Sequence, residues 1–293
     1  MTNYESLLQG ARGLLGDCCR VLEGIDLEYA IVGGWSPYLL NSTTFKHPGT
    51  HDVDLLFKDG EKEGALEGVI EKFLNNGFVL SAKHNFQLLK ILEVAGKKFV
   101  YNVDLLHSSD NNRMENMFVD HLNLPVPLDE NCSQRYKAKS IIAPHSAVIF
   151  AERLHEVKEE TFILPDNGKE VKLKFSLIDE AGLIVTKTSS VKQVKRTRDS
   201  FDIYVAIKQA RNYDSLVKKF QEIKKKNGDL FNTLYGIREA LKQNQMAYNA
   251  YKYACPDNNN PSLVLTINKD LENFLKEVGL EEKAEHDYVI LKK

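Results

Sequence analysis

The sequence is poor in the features that would tie it to several common protein classes. Its four cysteines, Cys18, Cys19, Cys132 and Cys255, show no zinc-type spacing, and the adjacent first two cannot easily face one another. A zinc module or a disulfide scaffold is therefore excluded, and the thiols read as reduced and partly buried. No apolar run approaches the roughly 20 residues of a membrane-spanning helix. The opening Met1-Thr2-Asn3-Tyr4-Glu5 has neither the basic start nor the apolar core of a signal peptide. A cytoplasmic protein without membrane contact is expected. Repeats and low-complexity tracts are also missing.

Net charge is small as well. A formal −2 at pH 7 argues against a protein that coats nucleic acid along its whole surface. The balance is uneven, however. Residues 183–253 hold 15 Lys plus Arg against 6 Asp plus Glu, a net of +9. The remainder holds 24 against 35, a net of −11. A basic segment of that size suits a polyanionic acceptor such as tRNA, or an acidic protein partner, or simply a solvated lysine-rich surface.

What the chain does have is Asp52-Val53-Asp54 and, in a separate apolar run, Asp104. His51-Asp-Val-Asp-Leu-Leu-Phe57 reads as a strand, so both carboxylates of the pair point to one face. Phe99-Val-Tyr-Asn-Val-Asp-Leu-Leu106 reads as a second strand carrying Asp104. If the two strands pair, three carboxylates converge and repel one another. A hard divalent cation, Mg²⁺ or Mn²⁺, resolves that repulsion and bridges substrate phosphates. An isolated Asp-x-Asp is more often a solvated strand face, but here Leu55, Leu56 and Phe57 follow without a polar alternate.

Upstream, Tyr29–Val32 reads as a short strand broken by Gly33-Gly34, after which Trp35 to Leu40 looks like the start of a helix. Pro37 is tolerated at an early helical position. Glycine lets backbone approach a ligand closely, and a helix start offers free N–H groups to an anion. Strand, Gly-Gly and helix therefore make a triphosphate cradle, with Ser36 as an extra hydroxyl donor. Gly-Gly alone signals only a tight turn; Asp52 eighteen positions beyond Gly34 makes the combination more specific.

In this order, Gly33-Gly34, Thr50-His51-Asp52-Val53-Asp54 and Asp104 resemble the polymerase-beta-type nucleotidyltransferase superfamily. Arg196-Thr197-Arg198-Asp199-Ser200-Phe201-Asp202, preceded by Lys187, is similar to the Arg-x-Lys-Asp-x-x-Asp motif of the AbiEii-like (DUF1814) branch. The resemblance spans residues 25 to 207. It implies a metal-dependent transferase that moves NMP from an NTP to an acceptor hydroxyl, of the toxin and phage-defence kind. A tRNA or other macromolecular acceptor and an antitoxin protein partner are implied with it. Asp52, Asp54 and Asp104 would hold the metal, and Asp104 would also take the acceptor's proton. Gly33, Gly34, Ser36, Lys187, Arg196 and Arg198 would bind nucleotide, and Asp199 would join the catalytic group by orienting one of the basic side chains or the acceptor. The sequence departs from the pattern at Arg198, where the family has lysine, and at Trp35, where a small hydroxyl residue is usual. Read without the resemblance, 190–210 is a helix with one apolar stripe and a solvated face of Lys192, Lys195, Arg196, Arg198 and Asp199. An antibiotic-modifying nucleotidyltransferase and a degenerate, non-catalytic nucleotide- or protein-binding member are the alternatives.

Periodicity supplies the rest. Thr2-x-x-Glu5 looks like a capping box opening a helix that closes at Gly24. A helix near 61–75, a hairpin of 86–94 and 99–106 across Ala95-Gly96-Lys97-Lys98, and a strand-rich stretch over 138–175 follow. Ile141–Phe150 is an apolar run, and Asp166-Asn167-Gly168 is a turn. From Ser176 the pattern is helical, with a tail helix near 268–278. The expectation is an α/β mixed-sheet nucleotidyltransferase domain over 1–175, a helical, bundle-like domain over 176–293, and an active site in a cleft between them.

Overall fold

A computed structural model describes residues 2–40, 45, 47–58, 65–109, 118–119, 138–191, 193, 195–226, 228, 234–242, 245–255 and 260–280. The chain divides into two compact units: Met1–Leu40 with His47–Thr186, and Asn41–Lys46 with Lys187–Lys293. It is a mixed-sheet α/β protein with helices in its C-terminal part.

The first unit runs β1 (Asn3–Tyr4), α1 (Leu7–Leu22), β2 (Tyr29–Val32), α2 (Trp35–Leu40), β3 (Val53–Phe57), α3 (Ala65–Asn75), β4 (Val79–Leu80), β5 (Gln87–Val94) and β6 (Lys97–Ser108). It continues with β7 (Phe118–Val119), β8 (Ala138–Lys139), β9 (Ile141–Ala143), α4 (Ala147–Ala151), β10 (His155–Ile163), β11 (Glu170–Ile178) and α5 (Glu180–Thr188). The main sheet has nine strands in the order β1-β5-β6-β3-β2-β11-β10, with β4 on β5 and β9 on β6; β7 and β8 form a separate pair. β3 and β6 are parallel, whereas β2–β3, β5–β6 and β10–β11 are antiparallel. Alternation along the strands sets the core. Ile31, Val53, Leu55, Phe57, Val103 and Leu105 pack with Leu14, Leu15 and Cys18 of α1 and with Ile70 and Phe73 of α3. The paired strand expected at 99–106 is thus present, and the hairpin turns on Ala95 and Gly96, both at positive φ.

Two expectations change in this unit. The first helix is capped by Ser6, whose hydroxyl oxygen accepts from the Gln9 N–H at 3.3 Å, rather than by Thr2. Thr2 instead donates to the Leu164 carbonyl at 2.8 Å, and the Tyr4 hydroxyl donates to Ile163 at 2.8 Å. These bonds join β1, at one end of the sheet order, to β10, at the other, so the sheet curls about α1. The apolar run 141–150 divides into β9 and the helix α4, because Ser146 and the positive-φ His145 turn the chain between them. Cys18 and Cys19 are buried and free, with thiol pKa values raised by burial; Cys132 lies outside the described residues.

The second unit holds α6 (Thr197–Lys208), α7 (Tyr213–Lys226), α8 (Tyr235–Lys242), α9 (Gln245–Ala254) and α10 (Pro261–Glu277). The helix expected from Ser190 begins only at Thr197. Turns closed by Gln193 N–H to Ser190 and Arg196 N–H to Gln193 precede it. The tail helix starts earlier than expected, at Pro261, where Asn260 accepts from the Ser262 N–H at 3.2 Å. Phe220 and Phe274 meet edge to face at 5.7 Å within this unit's core.

Candidate functional site

The sheet face opposite α1 carries the acidic residues. β3 and β6 pair in parallel with Asp54 directly beside Asp104, and Val32 of β2 lies opposite Asp54 on the other flank. Because Val53 and Val103 point into the core, both carboxylates point away from it and are half-buried. Asp52 precedes the first residue of β3 and is also half-buried; its Oδ1 accepts a hydrogen bond from the Thr50 hydroxyl.

Gly33 sits at φ +77°, in the left-handed region that glycine enters without cost. A Cβ at this position would overlap Asp54 Oδ2, so that carboxylate would have to move. Conformation therefore calls for glycine, and the turn rests directly against the carboxylate. The next feature was not legible in the sequence. Trp35 is fully buried and its indole N–H donates to the Asp52 carbonyl at 2.7 Å, while its ring meets Tyr38 edge-on at 5.5 Å. The bulky residue after the glycine pair thus points into the core and ties α2 to the start of β3.

Ser36 is likewise buried, and its hydroxyl donates to the Ile178 carbonyl at 3.0 Å. It is a tie between α2 and β11, which corrects its expected use as a phosphate donor. With only six residues, α2 offers little helix dipole, so the expected cradle would depend on the glycine turn.

Asp104 is held by two neutral donors. Gln87 Nε2 and Asn102 Nδ2 both donate to its Oδ1, at 2.8 Å and 3.0 Å. The signal for these partners was present but unused: Asn102 is two positions back on the same strand, and Gln87 is the cross-strand partner in the hairpin.

Among the described residues, no group of three or more His, Cys, Asp or Glu side chains is arranged to hold a metal ion. The three-carboxylate nest expected from the sequence is therefore not preformed. The donor set that is present, Asp54 and Asp104 in register with hard oxygens on one face, still fits Mg²⁺ or Mn²⁺. Such ions take one or two carboxylates from a protein and the remaining ligands from water and phosphate.

In the second unit Lys187 and Arg196, expected to bind nucleotide, join Asp199 and Asp202 in an ion cluster. Lys187 Nζ lies 2.7 Å from Asp199 Oδ1 and 3.2 Å from Asp202 Oδ2, with all three side chains at least 95% buried. Asp199 Oδ2 accepts from Arg196 Nε at 2.8 Å and from the Ser190 hydroxyl at 2.6 Å. Burial pulls the Lys187 pKa down, but Asp202 and Asp199 more than reverse this, so it ends above the ordinary lysine value. Its charge is committed to two carboxylates. Arg196 is half-exposed beyond the cluster, and Arg198 is half-buried in the first turn of α6. Lys192 lies outside the described residues.

No family model and no curated protein sequence matches the chain. Among solved structures it is similar to an antigenic nucleotidyltransferase-like protein from Paracoccidioides brasiliensis. Identity is 16%, 80% of this chain and 95% of that one are covered, and the TM-score is 0.32. At that score the likeness decides neither fold nor function. Among the described residues no helix is long and apolar enough to cross a membrane.

Proposed function

We propose that the chain is a divalent-metal-dependent nucleotidyltransferase that moves NMP from an NTP to an acceptor hydroxyl. One observation carries this reading: Asp54 and Asp104 stand side by side across a parallel strand pair, with the positive-φ Gly33 turn directly against Asp54. The bare backbone of Gly33 and Gly34 lets the triphosphate approach Asp54. Asp54 and Asp104 hold the cation, and Thr50 and the Trp35–Asp52 bond fix the segment that enters β3. A Mg²⁺ or Mn²⁺ ion there would offset charge developing on the transferred phosphorus and the leaving pyrophosphate. Asp104 shares the cation and accepts the proton of the acceptor hydroxyl.

The +9 segment at 183–253 supports a polyanionic acceptor such as tRNA, for which Arg196 and Arg198 offer guanidinium groups. An enzyme of the toxin and phage-defence kind, with an antitoxin partner, is the finer form of this reading. An antibiotic-modifying enzyme would use the same carboxylates, but a basic segment does not favour a cationic acceptor. A second reading, a non-catalytic nucleotide binder, is favoured by the lack of a preformed three-carboxylate group among the described residues.

The test incubates the protein with each α-labelled NTP and Mg²⁺, together with total tRNA, protein extract or an antibiotic panel. Label transferred only with Mg²⁺, and lost in Asp54→Asn, supports the enzyme and names the acceptor. NTP binding by calorimetry without transfer to any acceptor supports the binder. Neither binding nor transfer contradicts both.

A further inference from the structure

We propose that Gln87 and Asn102 act as positioning residues that make the cation site selective for a small, strictly octahedral ion over Ca²⁺. This rests on the reading of Asp54 and Asp104 as a cation site. Both amides donate to the same oxygen of Asp104, from different directions. Gln87 reaches across the β5–β6 ladder at 2.8 Å, and Asn102 reaches along β6 at 3.0 Å. A carboxylate's last torsion is broad and two-fold when nothing holds it. Two donors on one oxygen restrict that freedom and leave Oδ2 as the oxygen neither amide holds.

The frame behind them is stiff, because β6 is hydrogen-bonded to β3 on one side and to β5 on the other. Asp54 is confined from its own side by Gly33, whose backbone lies against Oδ2. Neither amide carries charge, so the clamp restricts Asp104 without neutralising it. Held oxygens match an ion that demands near-ideal octahedral geometry at short distance. Ca²⁺ tolerates 6–8 ligands at longer, irregular distances and gains little from rigidity.

The test titrates full-length protein with Mn²⁺ by electron paramagnetic resonance, with Mg²⁺ and Ca²⁺ as competitors and NTP present or absent. Wild type is expected to bind Mn²⁺ and to prefer Mg²⁺ to Ca²⁺. Asp54→Asn and Asp104→Asn should lose the site. Gln87→Met and Asn102→Ala should each weaken Mn²⁺ and Mg²⁺ by about tenfold, the lower end for outer partners of metal ligands. Ca²⁺ should weaken much less, so the preference narrows. Circular dichroism and thermal melts check folding, and Asn102→Ala carries the test alone if Gln87→Met does not fold. Equal weakening of all three ions, or unchanged affinities while Asp104→Asn loses the site, overturns the clamp and leaves the metal reading standing. If wild type binds no Mn²⁺ under either condition, both fall.

Discussion

The two units use aspartate in opposite ways. In the sheet unit, Asp52, Asp54 and Asp104 are half-buried, and the donors named for Asp52 and Asp104 are a hydroxyl and two amides. In the helical unit, Asp199 and Asp202 are fully buried and lie within ion-pair distance of Lys187, with Arg196 also on Asp199. Neutral donors fix a carboxylate's geometry while leaving its charge to act on something else. A lysine at 2.7 Å and 3.2 Å from the two carboxylates answers that charge inside the fold. On the proposed reading, the same residue type serves chemistry in one place and holds structure in the other.

The contrast breaks most visibly at Lys187. Lys187→Met leaves two buried carboxylates without their ammonium partner and should lower stability by about 3–5 kcal/mol. Asp104→Asn, which keeps the side-chain shape on a half-buried face, should change it by less than about 1 kcal/mol. Urea melts of the two variants side by side test this, and equal losses would erase the distinction.

Next in size is Gly33→Ala. A non-glycine residue at φ +77° costs about 1–3 kcal/mol, and the new methyl group displaces Asp54 as well. The melt should fall by that amount and Mn²⁺ binding should disappear. A variant that melts lower but still binds Mn²⁺ would separate the turn from the site.

Alkaline pH sharpens the other half. The raised Lys187 pKa means the ion cluster's stability is fully present below the unfolded value, about pH 10.4, and is lost as pH climbs through the folded one. Tyr213 acts in the same direction, its pKa pushed up to about 12, chiefly by burial and then by its bond to Glu277. The urea midpoint should begin to fall above about pH 8.5, where the buried thiols of Cys18 and Cys19 would ionise in the unfolded chain, and fall more steeply above about pH 10. Lys187→Met should make that fall shallower. The smallest effect is at Arg196, whose half-exposed guanidinium should contribute less than about 1 kcal/mol, so Arg196→Ala should barely move the melt.

The parts of this arrangement that were legible in the sequence are those set by local pattern. Tyr29–Val32, the Gly33-Gly34 break and Val53–Phe57 follow from apolar runs and glycine punctuation. The face shared by Asp54 and Asp104 follows from period-two alternation once the strands pair. What was hidden depends on distant partners. Thr2 looks like a cap but bonds Leu164, 162 residues away, so the capping role passes to Ser6. Ser36 looks like a ligand donor but bonds Ile178. Trp35 looks like an obstruction beside the glycines but turns inward to Asp52. Lys187 looks like a phosphate ligand until Asp199 and Asp202 are seen beside it. Sequence pattern places a side chain on a face; only the fold shows which group it meets there.

The central claim is tested most directly by growing crystals with Mn²⁺ and a non-hydrolysable NTP and computing an anomalous difference map. The account predicts a manganese peak between Asp54 and Asp104, near the Gly33–Gly34 turn, and none at Asp199 or Asp202. A map with the nucleotide bound elsewhere, or with no manganese between those two carboxylates, would contradict it.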